Sequence, residues 1–147
     1  MCLWNIKKQR KPNQDVTLAY KILYFNKSTN SIGRSCFQGF AFTPGVWYAN
    51  KAENYWNKPM MLGTEKEYSK KYLSGFHVFK TKQAAEKALK HFQTGGSWGR
   101  ESWRVAPVLV KDVRTEGIDG ACGSKYYRTQ LRPYCLVAQQ ILVIPEK

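Results

Sequence analysis

From Val16 to Phe25 the chain reads VTLAYKILYF, with Val16, Leu18, Tyr20, Ile22 and Tyr24 falling on alternate positions. Two-residue alternation built from β-branched and aromatic residues predicts a strand. Both of its faces read as largely apolar, so the strand is expected at the centre of a sheet. Asn26 to Gly33 reads as a polar turn region, Cys36 to Phe42 as a second strand, and Pro44–Gly45 as a turn into Val46–Trp47–Tyr48. The interval from Ala49 to Ser74 is less regular and mixes aromatics with lysines. Within it, Thr64 and Glu67 have the spacing of a capping box, which predicts a short helix through Tyr68 to Leu73. Gly75–Phe76–His77–Val78–Phe79 reads as a compact strand.

The period then lengthens. Ala85, Ala88, Leu89 and Phe92 recur at i, i+3, i+4 and i+7, the stripe of an amphipathic helix. Thr81 is placed to cap it, Glu86 and Lys90 to pair along its outer side, and Gly95–Gly96 to end it. A loop from Ser97 to Ser102 leads to a strand from Trp103 to about Val113, in which Pro107 argues for an edge or a bulge. A Gly-rich loop from Glu116 to Gly123 and a basic aromatic stretch precede a final strand, Tyr134 to Ile144. Strands outnumber helices and one strand–helix–strand crossover is visible. The expected fold is therefore α+β: a single domain over residues 15–147, with a mainly antiparallel sheet, one packed amphipathic helix and long loops. Residues 1–14, with Lys7, Lys8, Arg10 and Lys11 ahead of the first acid, Asp15, read as a flexible basic N-terminal arm.

Charge changes the picture more than composition does. Twenty-four Lys and Arg against ten Asp and Glu give a formal net charge of +14 on 147 residues. A surplus of that size repels itself in the compact state and points to an anionic partner, with solubilising surface charge as the plain alternative. A chain of this length buries about 68–70% of its unfolded surface, enough for one core without staples. No stretch approaches the roughly 18–20 apolar residues of a membrane span, and no signal-peptide pattern follows the N-terminal charges, so no membrane partner is expected. Cys2, Cys36, Cys122 and Cys135 are widely spaced and form no CxxC pair, which indicates neither a zinc site nor a disulfide framework.

Catalytic patterns are weak. His77 alternates with apolar neighbours and reads as a structural residue; His91 sits near a helix end, where its charged form suits the dipole. The acids are scattered, and no P-loop or GxGxxG is present. Gly117, Gly120 and Gly123 could turn amides toward a phosphate, but serve turns more simply. No catalytic residue, metal site or cofactor is therefore expected. What stands out is cations interleaved with aromatic faces, the arrangement that stacks a base while holding its phosphate. Three segments supply it: Tyr55 and Trp56 with Lys51 and Lys58; Trp98 and Trp103 with Arg100 and Arg104; and Tyr126 and Tyr127 with Lys125, Arg128 and Arg132.

Several short motifs carry a likeness. Met1–Cys2–Leu3–Trp4, Tyr20–Lys21–Ile22–Leu23, Gly45 to Tyr48, Gly75–Phe76–His77–Val78–Phe79 with Ala84 to Ala88 behind it, and a closing Val137–Ala138 together resemble a diffuse group of small phage and prophage proteins. That resemblance implies a phage-encoded accessory protein acting in the host cytoplasm and transfers no active site. Gly75 to Phe92 is also similar to the strand-and-helix step beside the NAD site of ADP-ribosyltransferases. The family's catalytic Glu has two candidates here, Glu116 before a Gly-rich loop and Glu146 near the terminus, and neither matches the family's placement.

Three functions follow as expectations. The first is non-catalytic binding of an anionic ligand, a nucleotide signal or a nucleic acid, that counters host antiviral defence. The second is inhibition of a host defence protein through a basic aromatic surface. The third is an ADP-ribosyltransferase-like activity. A homo-oligomer is compatible with each.

Overall fold

The computed structural model describes residues 3–26, 31–35, 41–51, 56–57, 71–94, 102–119 and 133–145. The strands are β1 (Leu3–Gln9), β2 (Val16–Asn26), β3 (Ser31–Ser35), β4 (Trp47–Ala49), β5 (Trp56–Asn57), β6 (Tyr72–Leu73), β7 (Phe76–Phe79), β8 (Trp103–Asp119) and β9 (Tyr134–Val143). One helix, α1 (Lys82–Thr94), lies among the described residues. The main sheet runs β1-β8-β2-β7-β9-β4, with β3 added to β2, and β9 also pairs with β8. All these pairings are antiparallel, as the α+β expectation requires. Because β9 returns to β8, the strands β8, β2, β7 and β9 close into a small ring. β5 and β6 form a separate two-stranded ribbon.

The ring has a filled interior. Ala19, Leu23, Phe25, Phe76, Val78, Val108, Val110, Leu136, Ile141 and Val143 are buried in one cluster there. A second cluster lies outside the ring, where Ala85 and Ala88 of α1 meet Ile22, Phe79, Cys135 and Val137. Thr81 caps α1 as expected, its Oγ1 accepting the Ala84 N–H at 3.2 Å. Glu86 pairs with Lys82 at 3.6 Å instead of with Lys90. Gly75 is fixed by close approach: a Cβ there would stand 2.5 Å from the Ala138 carbonyl oxygen. At the turn before β4, Gly45 has φ 82° and the Val46 N–H reaches the Thr43 carbonyl at 3.2 Å, a type II turn with Pro44 leading it.

Several expectations need correcting. Residues 3–9 form an edge strand on β8 and are not a free arm. Leu3 and Ile6 join the helix-side cluster, while the exposed Lys7 and Lys8 line an edge that such charges protect from further pairing. β2 is central, but its even face is only partly covered, with Val16 53% and Leu18 51% exposed. β3 begins at Ser31, within the expected turn region, and runs past its end at Gly33, while most of the expected strand from Cys36 to Phe42 lies outside the described residues. Tyr72 and Leu73 belong to β6 and not to a helix, because they pair with Asn57 and Trp56. β8 continues to Asp119, so Glu116 and Gly117 are strand residues between β1 and β9, not a loop. Pro107 lies inside β8, which is flanked on both sides. Its carbonyl accepts the Ile144 N–H, so its missing N–H faces the point where β9 has ended and deletes no rung toward β2.

Candidate functional site

The most site-like place among the described residues lies where two long strands break together. β1 and β2 run in line along one edge of β8 and are interrupted by residues 10–15. Opposite that interruption, β8 buries Ala106, Val108 and Val110, and then Val113, so the two-residue alternation slips by one. The slip is made at Asp112, whose φ of 52° lies in the left-handed region. Asp tolerates that region because its short side chain bonds locally. Here the Asp112 carboxylate accepts the Asn13 N–H at 2.9 Å and the Arg114 Nε–H at 2.6 Å. The Arg10 N–H bonds the Arg114 carbonyl at 2.8 Å, and Asn13 Nδ2 donates to the Val113 carbonyl at 3.2 Å. Such bulges commonly re-aim side chains beside functional sites.

A register shift against β9 between Val113 and Thr115 then sets Glu116 opposite the interior Leu136, 3% exposed. Arg10 donates through Nη2 to its Oε1, and Tyr134 donates its hydroxyl to Oε2 at 3.0 Å. Lys80 Nζ stands 3.8 Å from Oε2 and 5.1 Å from the centre of the Tyr134 ring. Burial by itself would raise the Glu116 carboxyl, but the hydrogen bonds from Arg10 and Tyr134, together with the Arg10 and Lys80 charges, outweigh it and leave the pKa lowered. The Tyr134 phenol is pushed up, first by burial and then by its bond to the carboxylate. A cleft of about 80 Å³ opens beside this cluster, lined by Arg10, Asn13, Asp15, Thr17, Lys80 and Glu116 over a floor of Val113 and Leu136.

That space exceeds the roughly 10–15 Å³ that one water needs and falls well short of the ~300–1,000 Å³ of a drug-sized ligand pocket. It suits a single phosphate-sized group. Both Glu116 oxygens are engaged, so the carboxylate orients Arg10 and Lys80 more readily than it serves as a base. The side chains of Arg10 and Lys80 remain 39% and 53% exposed, with further N–H donors to offer. The four charges at the cleft, Arg10 and Lys80 against Asp15 and Glu116, sum to zero. Long-range attraction for an anion must therefore come from the rest of the +14 surface.

A second polar chain crosses the helix side of the ring. The Leu3 N–H donates to Tyr72 Oη at 2.9 Å, and that hydroxyl lies 3.2 Å from His77 Nε2. The Gly75 backbone accepts an N–H of the ring, which leaves Nε2 of a neutral imidazole to accept the Tyr72 hydroxyl proton. The imidazole is then the Nδ1–H tautomer. Burial holds His77 down at about 3, so the ring is neutral, as a structural histidine should be.

Of the thirteen ligand-binding residues expected from the sequence, Lys51, Trp56, Trp103 and Arg104 are described, and none of them lines the cleft. Trp103 and Arg104 are consecutive in β8 and so point to opposite faces. Trp103 stacks edge-on against Tyr24 with ring centres 5.4 Å apart, while the Arg104 guanidinium lies 3.9 Å from the centre of the Phe25 ring. They do not share a surface, which corrects their expected pairing. Lys51 is exposed beyond β4, and Trp56 lies in β5. Tyr55, Lys58, Trp98, Arg100, Lys125, Tyr126, Tyr127, Arg128 and Arg132 lie outside the described residues, as does Glu146. Sequence reasoning missed Lys80, Asn13 and Tyr134 and read Arg10 as part of an arm. One available signal was Glu116 itself, an acid in a basic chain directly ahead of a glycine.

No protein-family model, curated protein or solved structure matches this chain.

Proposed function

We propose that the protein is a non-catalytic binder of a phosphate-bearing ligand, with Arg10 and Lys80 as the cations that hold the phosphate. The observation that carries this reading is the buried Glu116, which holds a cation from the β1–β2 connection and another from the end of β7 at the mouth of one small cleft. Oriented guanidinium and ammonium groups are the usual partners of phosphate oxygens. Thr17 and Asn13 add polar atoms at the same rim. Three described groups of catalytic type are otherwise occupied: His77 is buried and bonded, Cys135 is fully buried, and both Glu116 oxygens are engaged. That distribution favours holding a ligand over turning one over. The likeness to small phage proteins extends the reading to sequestration of a host nucleotide signal.

The test is a thermal-shift screen against cyclic nucleotides, cyclic oligonucleotides, ADP-ribose, NAD, single-stranded RNA and duplex DNA at low and high salt. A ligand bound only by the native state raises the midpoint, by about 2.7 kcal/mol of stabilisation at a hundredfold excess over Kd. The expected result is a salt-tolerant rise with one small nucleotide, weakened roughly tenfold by Arg10→Ala and by Lys80→Ala. Shifts with the polymers alone, abolished by salt, would replace this reading with backbone-charge binding. Silence across the whole set would remove it.

A further inference from the structure

The outer surface of the ring away from α1 carries an apolar strip that nothing in the described structure covers. Its residues follow from the registers. Leu18 pairs with Leu109, Leu109 with Leu142, and Leu142 with Trp47, so one row crosses β2, β8, β9 and β4 on a single face. The neighbouring row is Val16, Lys111, Gln140 and Ala49. Lys111 Nζ stands 4.3 Å from the centre of the Trp47 ring, which confirms that the two rows share a face. Val16, Leu18 and, on the turn before β4, Val46 are 53%, 51% and 45% exposed. Contiguous exposed apolar surface of this kind marks an interaction site more often than scattered apolar residues do.

We infer that this strip docks an acidic amphipathic helix of a partner protein. Three observations select that occupant. Neither row contains an Asp or Glu; the charged residue within them is Lys111, and the exposed Lys51 follows Ala49 at the edge. A helix with Leu-type residues on one face and carboxylates beside them therefore meets both the apolar row and its cations. The length also fits. Three strand spacings of about 4.8 Å give a row of roughly 14 Å, which nine or ten helical residues at 1.5 Å each would span. Finally, the same outer surface already accepts a helix at its other end, where α1 lays Ala85 and Ala88 on Ile22 and Phe79. A second copy of the chain is a poor occupant, since it would bring another +14 against the first. This site is separate from the Arg10 and Lys80 cleft and stands or falls apart from it.

The probe is a synthetic helical peptide of about three turns, with Leu at i, i+3, i+4 and i+7 and Glu elsewhere, and a control carrying Lys for Glu. Binding to the full chain is read by fluorescence anisotropy of the labelled peptide and mapped by amide chemical shifts. The Glu peptide should bind at least tenfold tighter than the Lys peptide and shift the amides around Leu18, Leu109 and Trp47. Leu18→Ser should weaken it about tenfold, while Lys111→Glu should reverse the preference between the two peptides. Arg10→Ala should leave it unchanged, which keeps this test distinct from that of the phosphate cleft. Urea denaturation of Leu18→Ser checks that the fold is kept. Equal binding of both peptides, no binding, or shifts confined elsewhere would overturn the inference. So would self-association in sedimentation that Leu18→Ser abolishes, or binding to phosphatidylserine vesicles that depends on Leu18. The first would reassign the strip to a second copy, and the second to an anionic lipid surface.

Discussion

Ile22 and Leu18 stand four residues apart on the same face of β2, yet one is 1% exposed and the other 51%. The difference is not in the strand, whose register against β8 is unbroken from Val16 to Tyr24. It lies in what is placed on top. Over Ile22 the chain supplies α1, whose small Ala85 and Ala88 let helix and sheet approach closely; over Leu18 the described chain supplies nothing. Alternation therefore reports which residues could be buried, while the position of a covering element decides which are.

The sharpest way to break this comparison is a matched pair of truncations. Ile22→Ala should cost about 2–5 kcal/mol through lost transfer energy and a cavity beneath α1. Leu18→Ala should fall within about 0.5 kcal/mol, as at an exposed site. Urea denaturation of both variants measures the gap, and equal losses would show that Leu18 is covered after all. A smaller effect is expected within the covered half at its polar chain. Tyr72→Phe removes the acceptor of the Leu3 N–H and the donor to His77, and should cost about 1–3 kcal/mol.

That half should also respond to pH. The folded His77 is held at about 3 against 6.5 for the free group, so the unfolded chain takes up the proton first. Its contribution to stability is complete above 6.5 and is lost progressively as pH falls toward 3. Between pH 6.5 and about 5, above the ordinary carboxylate range, wild type should lose stability while His77→Gln stays flatter. Leu18→Ala should keep the wild-type slope. A small effect also belongs to Lys111→Ala on the open half, at most about 1 kcal/mol for an exposed cation on an aromatic ring.

What could be read from the sequence was what repeats locally. α1 declared itself through the 3.6 period of Ala85, Ala88 and Leu89 and the Thr81 cap; β2, β7 and β9 did so through their apolar runs. β1 did not, because Lys7, Lys8, Arg10 and Lys11 outweigh Leu3 and Ile6, and because two register shifts against β8 spoil its alternation. The cleft was hidden for another reason. Arg10 and Glu116 are 106 positions apart, Lys80 comes from the end of β7, and the three meet where β8 shifts register against β9 between Val113 and Thr115. Residue types can propose basic aromatic segments, as with Trp103 and Arg104, but strand geometry sends such neighbours to opposite faces.

Closure of the ring has a mechanical consequence. β2 and β7 meet through a single register pair, Tyr20 with Phe79, so this junction is the seam of the cylinder. Lys21, buried on the core side of β2, reaches across it and donates to the His77 carbonyl at 2.8 Å. A side-chain rivet thus stands where the backbone ladder supplies almost nothing. Breathing of the ring should begin along that line, admitting solvent to the interior while the long β8–β9 pairing stays shut.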